Sequence, residues 1–190
     1  MPEVPMDVNI IRSRRRTMAV EIRDCKVIVR APVWASDAEI GRFVEKHRRW
    51  IETHLRKAQE RAAARADVEP LTQQELRELA RQAATIIPER VRFYAQKIGV
   101  TYGRITIRNQ KTRWGSCSAA GNLNFNCLLM LAPPEVIDSV VVHELCHRKE
   151  MNHSPRFYAE VLKAYPEYRK WNKWLKENGG VILSRNGRER

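Results

Sequence analysis

Bulky apolar residues alternate with other residues near the beginning of the chain, which predicts short β-strands. They hold every second position from Met18 to Ile22, the spacing of a strand with one buried face. Asp24 and Cys25 separate this run from a second apolar run at residues 26–30. The sequence therefore predicts a β-hairpin within the first thirty residues.

Two capping boxes predict where the first long helices begin. Ser36 is followed by Glu39, and Thr72 by Glu75, three residues later in each case. Each pair can satisfy backbone N–H groups at a helix N-terminus. Apolar residues then recur at helical spacing. They are Ile40, Phe43, Val44, Trp50, Ile51 and Leu55 in the first helix, and Leu76, Leu79, Ala83 and Ile86 in the second.

The second predicted helix meets a proline before it ends. Pro88 lacks a backbone N–H and is expected to kink or interrupt the helix. Gly99 is expected to end the continuation. A strand is predicted at residues 104–108, and two more strands are expected to flank the turn at residues 119–121.

Apolar residues and asparagines alternate after that turn, which predicts a strand reaching residue 131. One face carries Leu123, Phe125, Cys127, Leu129 and Leu131, and the other carries Asn122, Asn124 and Asn126. The asparagine face is either solvated or presented to a ligand. Pro133 and Pro134 end the strand and suit the beginning of a helix, which is predicted to run to about Met151.

The composition is that of a globular protein with a strong positive charge. Hydrophobic residues make up 43% and charged residues 30% of the chain, which excludes a disordered or fibrous protein. The 35 Lys and Arg residues exceed the 22 Asp and Glu residues, for a net charge of +13, which favours acidic partners such as nucleic acid. The four cysteines show no C-x-x-C spacing, and neither a signal-peptide core at residues 1–7 nor a membrane-spanning run is found. We therefore expect a reduced, cytoplasmic protein with no membrane partner.

One segment of the helix predicted after Pro134 has the spacing of a zinc-binding motif. His143 and His147 are four residues apart, so they are neighbours on one helix face and can direct two imidazoles at one ion. Glu144 lies about 100° round the helix from His143, where it can reach a water without ligating the metal. This is the H-E-x-x-H arrangement. The alternative interpretation is a buried helix with two packed histidines.

A third histidine follows six residues later. A straight helix would carry His153 about 9 Å further along its axis, out of reach. However, Asn152 tolerates the left-handed conformation that closes a helix, and Ser154 and Pro155 predict a new helix start. His153 is therefore expected in a bend, from which it can turn back to the metal. Three protein ligands with an open fourth position are typical of catalytic zinc, so we expect one Zn²⁺ per chain, with Glu144 as general base in amide hydrolysis.

Five short runs together resemble the YgjP-like metallopeptidases, relatives of the WLM and SprT-like zinc proteins. The runs are residues 113–118 (RWGSCS), 121–124 (GNLN), 131–138 (LAPPEVID), 143–147 (HELCH) and 152–157 (NHSPRF). The resemblance implies a small zincin-like α+β fold, in which a mixed or antiparallel sheet packs on an active-site helix, with an N-terminal β-hairpin and helix. It also implies zinc on His143, His147 and His153, catalysis by Glu144, and a peptide or protein substrate. Glu150 stands where metzincins have glycine, so a metzincin is rejected.

The predicted domain organisation uses the alanine-rich and charged stretch at residues 61–70 as its boundary. Residues 1–66 are expected to form the N-terminal strands and helix, packed as part of one unit with the rest. Residues 70–178 are expected to form the zincin-like metallopeptidase domain, and residues 181–190 a flexible tail.

Several residues are candidates for a substrate cleft. The resemblance implies that the strand after Gly121 lies beside the cleft, where an extended substrate can add as a further strand. Trp114, Asn124 and Tyr158 are the candidate cleft residues. Tyr158 and Arg156 are also candidate donors to the oxyanion of a tetrahedral intermediate. Cys146 is expected to be a packing residue.

Other functions also fit the sequence. The positive charge and the SprT-like resemblance suit a nucleic-acid-associated protein with a mainly structural zinc, or a protease acting on DNA-bound proteins. A degenerate scaffold without turnover is a third interpretation, against which the intact Glu144 argues. The arginines at residues 14–16 are either a phosphate-binding cluster or, more simply, the solvated end of a strand. Trp171 and Trp174 are expected to pack within a helix layer and not to stack on bases.

Overall fold

The computed structural model describes residues 8–66 and 68–186. Contacts divide the chain into two compact units, Met1–Asp67 and Val68–Arg190. Each unit has its own cluster of buried apolar residues. The expectation that residues 1–66 pack as part of one unit with the rest stays a prediction.

A three-stranded mixed sheet begins the first unit. Its strands are β1 (Val8–Ser13), β2 (Ala19–Arg23) and β3 (Lys26–Pro32), in the order β1-β3-β2. β2 and β3 form the predicted antiparallel hairpin, and β1 runs parallel to β3. Asp24 and Cys25 have φ angles of 50° and 57°, the positive values that a type I′ hairpin turn needs at both central positions.

Two helices follow where the sequence predicted one. They are α1 (Asp37–Lys46) and α2 (Arg48–Ala66). α1 begins at the predicted capping box, in which the Glu39 N–H donates to Ser36 Oγ and the Ser36 N–H donates to the Glu39 carboxylate. His47 separates the helices because its backbone, with φ −105° and ψ 7°, departs from helical values. The buried cluster of this unit consists of Val29, Ala31, Ala35 and Ile40.

The second unit begins with a 26-residue helix, α3 (Gln73–Ile98). It starts at the predicted capping box of Thr72 and ends at Gly99, whose φ of 75° is typical of a helix C-terminus. The sequence predicted a kink or an interruption at Pro88, and the helix runs through this residue without an interruption. Ile87 and Val91 on either side of the proline are fully buried, and this packing keeps the helix continuous across one missing hydrogen bond.

A second mixed sheet consists of β4 (Ile105–Arg108), β5 (Gly115–Cys117) and β6 (Leu123–Asn126), in the order β4-β6-β5. β6 pairs parallel with β4 and antiparallel with β5. The expectation that an extended substrate can add to the strand after Gly121 is therefore wrong, since β6 is central and β5 is an edge strand. The expected strand to residue 131 is also too long. Asn126 Oδ1 accepts from the Leu128 N–H at 3.1 Å and starts a 3₁₀ helix, Cys127–Leu131.

Three helices complete the second unit: α4 (Pro134–Cys146), α5 (Pro155–Ala164) and α6 (Tyr168–Ser184). α4 ends before the predicted position near Met151, because the N–H groups of Lys149 and Glu150 both donate to the Cys146 carbonyl, each at 3.0 Å, and close a turn. The core of the unit lies between α3, the sheet and these helices. The expected α+β class, with a mixed sheet beside the H-E-x-x-H helix, is confirmed.

α6 continues through residues 181–184, which the sequence assigned to a flexible tail. Ile182 and Leu183 pack against the core, and the Leu71 N–H donates to the Arg185 carbonyl at 2.7 Å. The end of the predicted tail, residues 187–190, lies outside the described residues. Within residues 8–66 and 68–186, each helix is too short or too polar to cross a membrane.

Candidate metal centre

α4 is buried on most of its sides. Val141, Val142 and Cys146 are fully buried, which agrees with Cys146 as a packing residue. Arg90 of α3 donates to the carboxylate of Asp138 and ties the two helices together. A polar side chain on such a helix needs a partner, because burial without one is costly.

Three histidines bring ring nitrogens together at the end of α4. His143 lies in the last turn, His147 is the C-terminal cap, and His153 lies in the bend before α5. One ring nitrogen of each lies within 4.8 Å of the other two, and the Nε2 atoms of His143 and His153 are 3.0 Å apart. Two neutral imidazoles at this distance need a proton or a cation between their lone pairs. The cluster can therefore hold a metal ion.

The other ring nitrogens of two of these histidines have partners within the protein. His143 Nδ1 lies 2.8 Å from the hydroxyl of buried Tyr168, and His147 Nδ1 lies 3.0 Å from the carbonyl oxygen of Glu150. A carbonyl can only accept, so His147 Nδ1 carries the hydrogen and its Nε2 keeps a lone pair. Such partners are typical of metal-binding histidines, because they fix the tautomer and the ring orientation.

His153 reaches the cluster from a bend that two side chains shape. The Ser154 N–H donates to Asn152 Oδ1 at 3.2 Å, and the Phe157 N–H donates to Ser154 Oγ at 3.3 Å. Asn152 does not have the positive φ that the sequence suggested. It forms the bend through its side chain, as asparagine commonly does in turns.

An apolar ring lies against all three imidazoles. Phe157 is fully buried, and its ring centroid lies 4.9, 4.5 and 5.0 Å from those of His143, His147 and His153. Burial lowers the pKa of His143 to about 3 and also lowers the pKa of His147, and neighbouring histidines add to both effects. These two rings are therefore neutral near pH 7, the form that binds metal ions.

Glu144 lines a cavity beside His143. Its side chain is buried, and this burial raises its pKa to about 8, since a carboxylate is disfavoured away from water. Gly115 at the start of β5 leaves room for it. A Cβ at that position would lie 2.7 Å from Glu144 Oε1 and 2.8 Å from its Cγ, so any larger residue would displace the carboxyl group.

The cavity beside Glu144 has a volume of about 230 Å³. Its walls include Trp114 before β5, Val140 of α4, and Leu175 of α6. Gly179 lets the indole of Trp114 lie close to α6, because a Cβ there would be 2.9 Å from its Cζ2. The predicted cleft residue Trp114 therefore borders the region beside Glu144.

The other predicted cleft residues, Asn124 and Tyr158, and the oxyanion candidate Arg156 do not line this cavity. Asn124 donates from Nδ2 to Ser116 Oγ at 3.2 Å, so its amide is used within the sheet, and it does not line this cavity. Tyr158 is 39% exposed, and its ring centroid lies 6.2 Å from that of His153. Arg156 is exposed on the first turn of α5. Tyr158 is thus the one of these three with a ring next to the histidine cluster.

Asn126 supports the segment that leads to Trp114. It is fully buried, and its Nδ2 donates to the carbonyl groups of Gln110 at 2.8 Å and Arg113 at 2.9 Å. A solvated or ligand-facing position, as expected for the asparagine face, is therefore wrong for this residue. Its buried amide thereby ties residues 110–113 to the end of β6.

Most of the sequence matches a known family. The sequence model described as the YgjP-like metallopeptidase domain matches residues 16–77 and 65–178. The chain belongs to the YgjP-like family. Membership places it among the metallopeptidases, which are hydrolases that use a metal, and agrees with the resemblance carried by the HELCH run.

Two solved structures of metallopeptidase zymogens are similar to part of this YgjP-like chain. Abylysin of Pyrococcus abyssi is 20% identical, covering 48% of this chain and 94% of its own, with a TM-score of 0.44. Jannalysin of Methanocaldococcus jannaschii is 22% identical, covering 48% of this chain and 95% of its own, with a TM-score of 0.43. No curated protein matches the chain.

Sequence reasoning missed the residues that support the histidines from other elements. Tyr168, the carbonyl group of Glu150, and Phe157 were not anticipated. Tyr168 lies 25 residues from His143 along the chain, so no local pattern connects them. Gly115 was a signal for a different contact, that with Glu144, since a glycine within a strand often marks a close approach.

Proposed function

We propose that this YgjP-like chain is a zinc-dependent peptidase that hydrolyses bonds in peptide or protein substrates. The observation that supports it is the convergence of three imidazoles, from His143, His147 and His153, next to the buried carboxyl group of Glu144. Imidazole nitrogens suit zinc, and three protein ligands leave a coordination position open for chemistry. A mainly structural zinc would call for a fourth protein ligand, and the cluster found among the described residues has three.

The three histidines fit a zinc ion. Burial keeps His143 and His147 neutral, and the hydrogen bonds at their Nδ1 atoms leave the Nε2 atoms for the metal. His153 is the third proposed ligand, with one Zn²⁺ per chain. When bound, zinc supplies a Lewis acid that lowers the pKa of a water and polarises a carbonyl group.

Glu144 is the proposed general base. Burial raises its pKa to about 8, and a cation held by the histidines lowers that pKa again towards neutrality, so the carboxylate is available near pH 7. It accepts the proton of the attacking water and then donates it to the leaving amine nitrogen. Gly115 allows the carboxyl group to occupy this position, because a side chain on residue 115 would collide with it.

The substrate is proposed to bind along the edge of β5. This strand begins at Gly115, directly beside Glu144, and as an edge strand it has backbone groups free to pair with an extended chain. The cavity between Trp114 and Leu175 has room for a substrate side chain. The four cysteines are all unpaired, which supports the proposal that the protein works in the cytoplasm, where thiols stay reduced.

The test begins with zinc content, measured by elemental mass spectrometry on untagged protein. We expect about one zinc per chain, as the three ligands imply, and weaker binding in His153→Ala. Hydrolysis is then followed with a mixed fluorogenic peptide library. Glu144→Gln should keep the zinc and lose hydrolysis by a factor of about 10² or more, the contribution typical of a positioned acid–base group.

A matched variant controls for loss of a nearby negative charge. Glu150→Gln changes a glutamate whose carbonyl group, not its side chain, contacts His147, so it should keep both zinc and hydrolysis. Full hydrolysis by Glu144→Gln, or no zinc after reconstitution, would contradict the proposed function.

A further inference from the structure

A basic run and an exposed tryptophan lie together in the first unit. β1 and β3 are parallel, with Ser13 opposite Pro32, so the segments that follow them leave the sheet at the same end. Neighbouring strands are about 4.8 Å apart. Residues 14–16 follow β1, and Val33 and Trp34 follow β3. The Val33 N–H donates to the Ser13 carbonyl at 3.2 Å, which holds the two segments side by side.

Trp34 is presented to solvent on a fixed turn. It is 69% exposed and Val33 is 62% exposed, the two highest values among large apolar residues in the described chain. Arg12 braces the turn, because its guanidinium donates to the Ala35 carbonyl and pairs with Asp37 at 2.5 Å. The exposed indole is therefore available to stack on a planar ligand.

Among the described residues, the three arginines at positions 14–16 have no acidic partner. Arg12 and Arg30 of the same sheet each pair with a carboxylate, whereas none of the ion pairs in the described part of the chain includes residues 14–16. Arg15 Nε also finds no hydrogen-bond partner there. Guanidinium groups bind phosphate through paired N–H donors, so this run is suited to a polyanion.

We propose that this Arg–Trp surface, residues 14–16 with Val33 and Trp34, binds single-stranded nucleic acid. Trp34 stacks on an unpaired base, and the arginines contact the neighbouring phosphates. The bases of a duplex are already stacked on both faces, so a single strand is the partner that fits an exposed indole. RNA and DNA share this chemistry. The binding is separate from the proposed hydrolysis and does not depend on it.

Two other partners fit the surface less well. A bilayer interface binds helices with broad apolar faces, whereas this turn offers two apolar residues. An apolar protein partner would leave three arginines unpaired on burial, which is unfavourable. The net charge of +13 also draws polyanions to the chain.

The test uses the full chain and a fluorescein-labelled dT strand of about 15 nucleotides, near the upper site size of single-strand binders. Anisotropy is measured from about 50 to 200 mM salt, the range over which phosphate contacts weaken. We expect Trp34→Ala to weaken binding about tenfold, the loss of one stacked base. The double variant Arg14→Gln/Arg16→Gln should lower the salt slope by about 1.4, since each phosphate contact contributes about 0.7.

Matched variants separate this surface from general charge. Trp50→Ala removes another exposed tryptophan of the same unit. Arg104→Gln/Arg108→Gln removes two exposed arginines of the second unit. Both controls should change binding much less than Trp34→Ala and Arg14→Gln/Arg16→Gln do. A control arginine pair that weakens binding as much as Arg14→Gln/Arg16→Gln would overturn the proposal, because net charge alone would then explain it.

Three further arms complete the test, with circular dichroism melts to show that each variant folds. An oligo(U) strand distinguishes RNA from DNA, and Trp34-dependent binding of either supports the proposal. Equal or tighter binding of a duplex would overturn it. Phosphatidylserine vesicles are the third probe. The proposal would also be overturned if the protein binds no single strand at low salt, whether or not it binds these vesicles through Trp34.

Discussion

Replacing Tyr168 by phenylalanine should weaken metal binding without unfolding the protein. The Tyr168 hydroxyl lies 2.8 Å from His143 Nδ1, and the tyrosine is 5% exposed. When His143 binds a metal through Nε2, its Nδ1 carries a hydrogen that donates to this hydroxyl oxygen. The Tyr168→Phe variant leaves that N–H buried without an acceptor. The metal-free protein avoids this loss, because the neutral ring can move its hydrogen to Nε2.

The size of the effect follows from that difference. An unpaired buried polar group costs about 1–3 kcal/mol. Loss of such a partner to a metal-binding histidine typically lowers metal affinity by about 10- to 100-fold, which corresponds to about 1.4–2.7 kcal/mol. We therefore expect the zinc dissociation constant of Tyr168→Phe to rise by about one to two orders of magnitude.

The measurement is competition for zinc against a chromophoric chelator, which needs no substrate. Tyr165→Phe is the matched control, because the Tyr165 hydroxyl donates to the Glu135 carbonyl at 3.1 Å, outside the histidine cluster. It should keep the wild-type zinc affinity. An unchanged affinity in Tyr168→Phe, or an equal loss in both variants, would refute the role assigned to this hydrogen bond.

Three other predictions follow from buried groups of the same unit. In the metal-free protein the pKa of Glu144, about 8 when folded against a usual 4.5, means that the folded state holds the extra proton. Because the unfolded state lacks this proton, the free energy of unfolding should fall by on the order of 1 kcal/mol per pH unit as the pH rises from about 4.5 to about 8. Glu144→Gln should remove this slope in urea titrations. Asn126→Ala removes the hydrogen bonds that the buried Asn126 amide donates to two carbonyl groups and should cost about 1–3 kcal/mol in chemical unfolding, at about 0.5–1.5 kcal/mol per hydrogen bond; a loss below about 0.5 kcal/mol, the scale of a surface change, would contradict its role. Gly115→Ala puts a Cβ against Glu144 and should slow peptide hydrolysis about 100-fold while zinc content stays the same. Full hydrolysis would show that the carboxyl group is not positioned by this glycine.

The sequence alone determined the features that depend on neighbours along the chain. The hairpin turn at Asp24, the capping box at Ser36 and the helix end at Gly99 each follow from the conformation or hydrogen bonding of a few consecutive residues. The i, i+4 spacing of His143 and His147 likewise determined that both imidazoles share a helix end. Local chemistry suffices for these predictions because the partners are at most a few residues apart.

The tertiary structure decided what depends on distant partners. The central position of β6 comes from its pairing with both β4 and β5, and the alternating pattern of a strand does not encode which strands flank it. Tyr168 reaches His143 because α6 packs on α4, and Gly115 meets Glu144 because β5 packs there. The parallel pairing of β1 with β3 likewise joins residues 14–16 to Trp34. These contacts arise from burying apolar faces against one another, so they are set by the packing of whole elements and not by any short run of residues.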